Sequence, residues 1–363
     1  MIAMTSVLER GYTYWDRALL PRDEFEERTR AAQRSMEAAD LVAIVVWSQS
    51  YHTNGDLAFL SGAPLGGVLL LTREGEPALF SADGGREQYF QRMQTWIEDM
   101  RSTTAGIGKI IAETLKGRGL TNGKVGVVGF DLMSAAALQE FSQALANFEL
   151  TDYEGQYRAL RTPKRPREVL AIKRSLEIAR KAVQAGERAF AANGTNAEAL
   201  IEAERIARVE GARDFRGLAN LRGKQLRPFE RLSADRNAPL ILWVAVDHHG
   251  YWADAASQGA ARSPADAAVD AMVAMCRPGA PVGALAEAGL SELPAEARAG
   301  ALSYGFGSGC GLSLDEWPVI EPGSSATLAE GSIIALRAYC MDGKSASLRT
   351  ALIHIRSSEA IRL

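Results

Sequence analysis

The chain has 363 residues, 47% hydrophobic and 23% charged, enough for one large or two ordinary domains with a sizeable core. Its 41 Lys+Arg against 44 Asp+Glu leave a formal charge of -3, which gives no support to a nucleic-acid or membrane-surface role, since both need clustered positive charge. Three widely spaced cysteines, Cys276, Cys310 and Cys340, offer neither a disulfide framework nor a CxxC metal clip. The N-terminal stretch carries Glu9, Arg10, Asp16 and Arg17 where a secretion signal needs an apolar core, and no run reaches the roughly 18 apolar residues of a membrane span. A soluble protein of the reducing cytoplasm is expected.

In chain order, Phe25 to Ala39 has helical periodicity and leads into the apolar run Leu41 to Trp47, whose length and β-branched content suit a buried strand. Gly67 to Thr72 and Ala78 to Phe80 flank a Gly-Pro-containing turn and predict a hairpin. Ile107 to Gly117 reads as a helix, Lys124 to Phe130 as a buried strand and Ser134 to Ala146 as a helix. Strands alternating with helices predict an α/β N-terminal domain over residues 1–160. Near residue 160 arginines and lysine crowd around Pro163 and Pro166, which marks a boundary. A long amphipathic helix then runs from Arg167 to Ala192, and Thr195 or Asn196 caps another over Ala197 to Glu210. Strand-like runs at Ile241 to Val246, Ser332 to Ala338 and Ala351 to Ile355 alternate with helices around Ala265 to Met275 and Val282 to Leu290, so residues 161–363 should form an α+β domain.

Four blocks in this order resemble the creatinase, prolidase and Xaa-Pro aminopeptidase superfamily, whose catalytic domain is called the pita-bread fold. They are Asn54 to Gly62, Arg161 to Ser175, Gly250-Tyr251-Trp252-Ala253-Asp254, and Gly305 to Gly311 with Glu316-Trp317-Pro318. The resemblance implies a homodimer in which a loop near Ala63-Pro64-Leu65-Gly66 of one subunit reaches the other's cavity. It also implies a dinuclear metal site of two Asp, one His and two Glu. Only Asp254 matches that set. The other positions fall on Trp243, Ser308, Arg337 and Arg349, and two guanidiniums in place of two carboxylates would repel a divalent cation. No metal and no other cofactor is therefore expected. Creatinase itself works without metal through a histidine, but that position falls near Phe229, and no His lies between residues 53 and 247.

What remains is a candidate metal-free site. Asp254 would act as general base or nucleophile, or else pair with an arginine, in which case a depressed pKa would make it a poor proton carrier. Arg337 and Arg349, placed on neighbouring strands, would clamp a small anion unless ion pairs with Asp254, Asp315 or Glu316 occupy them. His249, beside His248 at a strand turn, becomes a general base if it points inward and is an exposed polar residue otherwise. Glu316 is a further acid candidate. Tyr304, Ser308 and Asp315 flank the glycine-rich loop as substrate contacts, and Trp243 with Phe229 would form an apolar wall beside the arginines. His52 and His354 read as structural, and Cys310 as a small buried hydrophobe. The expected function is metal-independent hydrolysis of a C–N bond in a small carboxylate-bearing substrate, with no nucleic-acid or membrane partner. Alternatives are a lyase, isomerase or cyclase on a small anionic metabolite, and a non-catalytic pseudo-peptidase that binds a ligand or a protein.

Overall fold

The computed structural model describes residues 15–48, 54–63, 66–81, 86–102, 106–257, 262–341 and 346–363. Pro64, Leu65 and His52, invoked above, lie outside the described residues. The described chain divides into two compact units, residues 15–161 and 162–363.

The first unit runs α1 (Arg22–Ala38), β1 (Leu41–Ser48), α2 (Asn54–Ser61), β2 (Gly67–Thr72), β3 (Ala78–Ser81), α3 (Arg86–Arg92), β4 (Asp99–Ser102), α4 (Ile107–Gly117), β5 (Gly123–Val128), α5 (Ala135–Ala144), β6 (Phe148–Asp152) and α6 (Glu154–Arg161). Its strands form one mixed sheet in the order β4-β3-β2-β1-β5-β6. The apolar run predicted as a buried strand is β1, at the sheet's centre, antiparallel to β2 and parallel to β5. A strand buried on both faces needs no alternation, and Ala43 to Val46 are fully inaccessible.

The second unit runs α7 (Pro166–Ala191), α8 (Asn196–Val209), β7 (Asp214–Arg222), β8 (Gln225–Pro228), β9 (Leu242–His248), β10 (Tyr251–Ala256), α9 (Pro264–Met275), α10 (Val282–Ser291), α11 (Ala295–Tyr304), β11 (Gly307–Gly309), β12 (Glu316–Val319), β13 (Ile333–Met341), β14 (Ala346–Ile355) and β15 (Ala360–Arg362). Two sheets result, β10-β9-β7-β8 and β12-β11-β13-β14-β15. Each is covered on one face by helices. α7 and α8 pack Ile178, Ala182, Leu200 and Ala203 against Leu242, Val244 and Val246 of the first sheet. α9, α10 and α11 pack Val269, Met272, Leu285 and Ala301 against Ile334, Leu336, Ala351 and Ile353 of the second. Because side chains alternate along a strand, these cores fix which residues face the other way. The opposite, inner faces carry Arg216, Trp243, Ala245, Trp252 and Asp254 on one sheet, and Ser308, Arg337, Tyr339 and Thr350 on the other.

The loop after β11 ties the sheets together. Trp252 donates its backbone N–H to the Gly311 carbonyl at 2.8 Å, and the Cys310 thiol donates to the Trp252 carbonyl at 3.1 Å. Burial pushes that thiol's pKa up, so Cys310 is an inert packing group, as its sequence context suggested. The glycines of this segment permit a backbone approach that no side chain could share. A Cβ on Gly307, at φ +124°, would lie 1.9 Å from the Ala335 carbonyl oxygen. Gly307→Ala should therefore cost more than about 1 kcal/mol and displace Ser308 from its register with Ala335. Urea unfolding of the variant checks this, and an unchanged midpoint would contradict the close approach.

Candidate functional site

The inner faces meet around one guanidinium. Arg337, projecting from β13, donates from Nε to Asp254 Oδ2 at 2.6 Å and from Nη1 to Asp315 Oδ1 at 2.7 Å. Asp254 sits on β10 with only 1% of its side chain exposed, whereas Asp315, in the loop before β12, is 59% exposed. Each carboxylate is held by a second donor. The Trp243 indole donates to Asp254 Oδ2 at 2.8 Å, and the Ser308 hydroxyl to Asp315 Oδ1 at 2.8 Å. Both bonds to Asp254 end on Oδ2, and Oδ1 takes neither. Among the described residues no acceptor reaches the buried Nη2 of Arg337. That donor lies on the side chain whose guanidinium carbon is 5.9 Å from the centre of the Trp243 ring.

The charges are interlocked. Burial works against the Arg337 cation, but the charges and hydrogen bonds of Asp254 and Asp315 outweigh it and raise its pKa further. Partial desolvation would lift the Asp315 carboxyl. Arg337, Ser308 and the charge of Arg216 outweigh that and leave it below the ordinary carboxylate range. Arg216 comes from β7, in the same cross-strand row as Ala245 and Asp254, and its guanidinium lies 4.9 Å from the Trp252 ring centre. Tyr304, at the end of α11, is raised by burial while feeling the opposing charges of Arg337, Asp254 and Asp315, and its ring lies 5.3 Å from Tyr339.

Trp243, Asp254, Tyr304, Ser308, Asp315 and Arg337 thus come together, and four other expected residues do not join them. Arg349 does not share a cavity with Arg337. β13 and β14 pair Arg337 with Thr350 and Ala338 with Arg349, so Arg349 points to the helix-covered face. There it donates from Nε to Asp266 at the start of α9 at 2.6 Å, and from Nη1 to the Ser257 carbonyl at 3.0 Å. His249 occupies a two-residue hairpin turn with Gly250, both at positive φ, with its ring edge-on to His248 at 4.5 Å. Asp254 pairs with Ala245, four residues along β9 from that turn, which at about 3.3 Å per residue is some 13 Å away. Glu316 is a loop anchor: Lys164 Nζ lies 2.7 Å from its Oε2, and the Ser313 amide donates to its Oε1 at 3.2 Å. Phe229 follows edge strand β8 and is 46% exposed, so the aromatic wall is made by Trp243, Tyr304 and Tyr339 instead.

Arg216, Tyr339 and Thr350 were not singled out from the sequence. Tyr339 was within reach, since a residue two positions past Arg337 on a strand must share its face. Arg216 and Thr350 depend on pairing register.

A divalent metal does not fit here. The two carboxylates facing the centre both hold the guanidinium, and the remaining neighbours are an indole, a hydroxyl and Thr350 rather than imidazole or carboxylate. Among the described residues no group of three or more His, Cys, Asp or Glu is placed to hold a metal ion.

Truncating one partner of a buried ion pair leaves a bare charge, so Arg337→Ala should cost about 3–5 kcal/mol, and Asp254→Asn combined with Arg337→Met should recover most of it. Arg349→Ala should lower the melting temperature while leaving the inner face's ligand affinity unchanged, and a loss of affinity would place Arg349 in the site after all. Asp315 and Asp266 both have lowered pKa values in the folded chain; at Asp266 the Ser263 hydroxyl and amide and Arg349 outweigh desolvation. Groups lowered on folding confer stability above their unfolded value near pH 4, and that stability is lost as pH falls through the folded value. Melting temperature between pH 5 and 2.5 should therefore drop less steeply in Asp315→Asn than in the wild type.

Known families and solved structures share this fold. The Creatinase/Prolidase N-terminal domain family matches residues 28–162, and metallopeptidase family M24 matches residues 171–356. No curated protein sequence matches the chain. Among solved structures, the X-Pro aminopeptidase from Thermotoga maritima superposes with a TM-score of 0.72 at 15% identity, covering 91% of this chain and 97% of its own. Dipeptidase PepE from Mycobacterium ulcerans gives 0.69 at 20% identity, with 96% of each chain covered. The N-terminal domain of FACT complex subunit SPT16 from chickpea gives 0.65 at 17%, covering 93% and 95%. At such identities these likenesses concern the fold, which is the pita-bread architecture behind a creatinase-like α/β domain. With more than half its length matched by that family, the chain belongs to metallopeptidase family M24, though among the described residues no cluster of donors is placed to hold the metal that the family name leads one to expect.

Proposed function

We propose that the inner face binds a small carboxylate-bearing substrate and supports metal-independent hydrolysis of a C–N bond. The observation that carries this reading is the buried Nη2 donor of Arg337, without an acceptor among the described residues, a fixed cation with one directional N–H group left for an anionic oxygen. Asp254 is the residue for the attacking water, through the Oδ1 atom that neither Arg337 nor Trp243 occupies. Ser308 and Asp315 act through Arg337 by fixing the plane of its guanidinium. The reading includes a creatinase-like domain of residues 1–160, a homodimer and a cytoplasmic setting, in line with the family resemblance. No helix among the described residues is long and apolar enough to cross a membrane.

A second reading is a non-catalytic ligand-binding protein, and one observation favours it. Asp254 and Asp315 both serve as counter-ions to Arg337, a structural task that needs no turnover. The fold also occurs in the SPT16 domain, which is described as part of the FACT complex rather than as a peptidase.

Asp254→Asn separates the two readings. If the protein is an enzyme, turnover falls by on the order of 10² or more while ligand still binds. If Asp254 only balances charge, binding is kept or strengthened and stability without ligand falls. Arg337→Lys should weaken binding of a carboxylate by about 1.5–3 kcal/mol, because the ammonium lacks the forked geometry. Elemental analysis showing stoichiometric zinc, manganese, iron or cobalt in the active protein, or inhibition by chelators, would overturn metal independence.

A further inference from the structure

A cavity of about 480 Å³ opens between α7 and β15, lined by none of the residues around Arg337. Lys173, Leu176 and Arg180 reach it from one face of α7, and the β15 segment adds Ile361, Arg362 and Leu363. Glu177 and Lys181 also border it, but they pair with each other at 3.4 Å and with Arg174 and Glu210 beside them. Lys173 and Arg180 have no such match. Among the described residues neither has a side-chain carboxylate within ion-pair distance, and Arg180 Nη2 donates to the Leu363 backbone oxygen at 2.6 Å. Arg362 stands 4.0 Å from Asp270, whose nearer partner is Arg262 at 2.7 Å. The positive charges therefore act on one another. Desolvation lowers the pKa of Arg180, and the charge of Arg362 lowers it further. His354, opposite Ile361 in the pairing of β14 with β15, is lowered by desolvation and then by the charges of Arg356 and Lys173. Even a carboxylate at Leu363 would leave Lys173, Arg180 and Arg362 facing a single anion.

We propose that this cavity binds a small organic phosphate, its dianionic head between Arg180 and Arg362 and its apolar body on Leu176, Ile361 and Leu363. The site is separate from the Arg337 cluster and stands whether or not that cluster turns over a substrate. Like charges held close together are relieved by a ligand that brings two negative charges. Guanidiniums suit phosphate because their paired N–H groups match its oxygens. A bare phosphate would leave the apolar floor uncovered, whereas an organic ester buries it. Lys173, seven residues before Arg180 and about 10.5 Å along the helix, faces the far end of such a ligand. The volume is that of a metabolite site.

Isothermal titration of the full chain with phenyl phosphate, phenyl sulfate and inorganic phosphate, at about pH 7.5 where a phosphate monoester is a dianion, tests the site. Phenyl sulfate keeps the shape with one negative charge, and inorganic phosphate keeps the charge without the ring. Phenyl phosphate should bind about tenfold more tightly than either. Arg180→Gln, with its melting transition retained, should weaken phenyl phosphate by about tenfold or more, and Lys173→Gln by a smaller factor. Arg205→Gln removes the same charge from an exposed pair with Glu202 on α8 and should leave binding unchanged. Equal binding of the three probes, or binding of none, overturns the proposal. So does phenyl phosphate binding that survives both Arg180→Gln and Arg362→Gln. An equal loss in Arg205→Gln would mark a response to net charge alone and overturn it as well.

Discussion

The Arg337 guanidinium, buried between the carboxylates of Asp254 and Asp315, is the interaction on which the inner face depends. A charge so placed is costly unless anions match it, and here two do, each steadied by its own neutral donor. The arrangement also joins elements far apart in sequence: β10 through Asp254, the loop before β12 through Asp315, and β13 through Arg337 itself. Arg216 brings a second guanidinium near Asp315 and itself lies 3.9 Å from Asp214, so opposite charges are interleaved around Arg337. An anionic ligand would be held there by one oriented N–H group rather than by a strongly positive field.

Much of the fold was legible because its signals are local. The buried run at β1, the hairpin of β2 and β3, and the long helix α7 follow from apolar periodicity and turn residues, and the structure places them within a few residues of the expected bounds. The site was legible only in part. Asp254 and Arg337 were reachable because each sits in a strand beside a distinctive block of sequence. Arg349 shows where that reasoning ends. Whether two residues on neighbouring antiparallel strands share a face depends on the hairpin register, and a shift of one residue reverses the answer. The register that pairs Ala338 with Arg349 sends this side chain to α9 and leaves Thr350 beside Arg337. Glu316 could not be placed for a different reason: its partner Lys164 lies 152 positions away, and an ion pair of that span leaves no local trace.

His249 was a candidate on residue chemistry and Phe229 on its place in the family pattern, and the geometry brings neither to the Arg337 cluster. A two-residue turn with positive φ at His249 and Gly250 satisfies the hairpin's right-handed twist and leaves the imidazole at the sheet's end. An edge strand such as β8 leaves the residue beyond it in solvent. The aromatic residues that do line the guanidinium come from three separate elements, β9, α11 and β13. The sequence therefore indicated an apolar wall and named Trp243 for it, but not Tyr304 and Tyr339 as its other members.

A guanidinium can replace the charge of a metal ion without replacing its chemistry. A metal offers open coordination positions and lowers the pKa of bound water toward neutrality. Arg337 offers N–H groups fixed in one plane, two of whose positions are already occupied, and it cannot ionise a water molecule. Any hydrolysis at this site must therefore draw its nucleophile's activation from a carboxylate oxygen. Asp254 Oδ1 is the buried candidate beside the guanidinium, because Glu316 is committed to Lys164 and Asp315 stands largely in solvent. The same ion pair that holds Asp254 in place also takes up one of its two oxygens. The chemistry available to this member of the family is thus set by how one carboxylate divides its two oxygens between holding Arg337 and meeting a substrate.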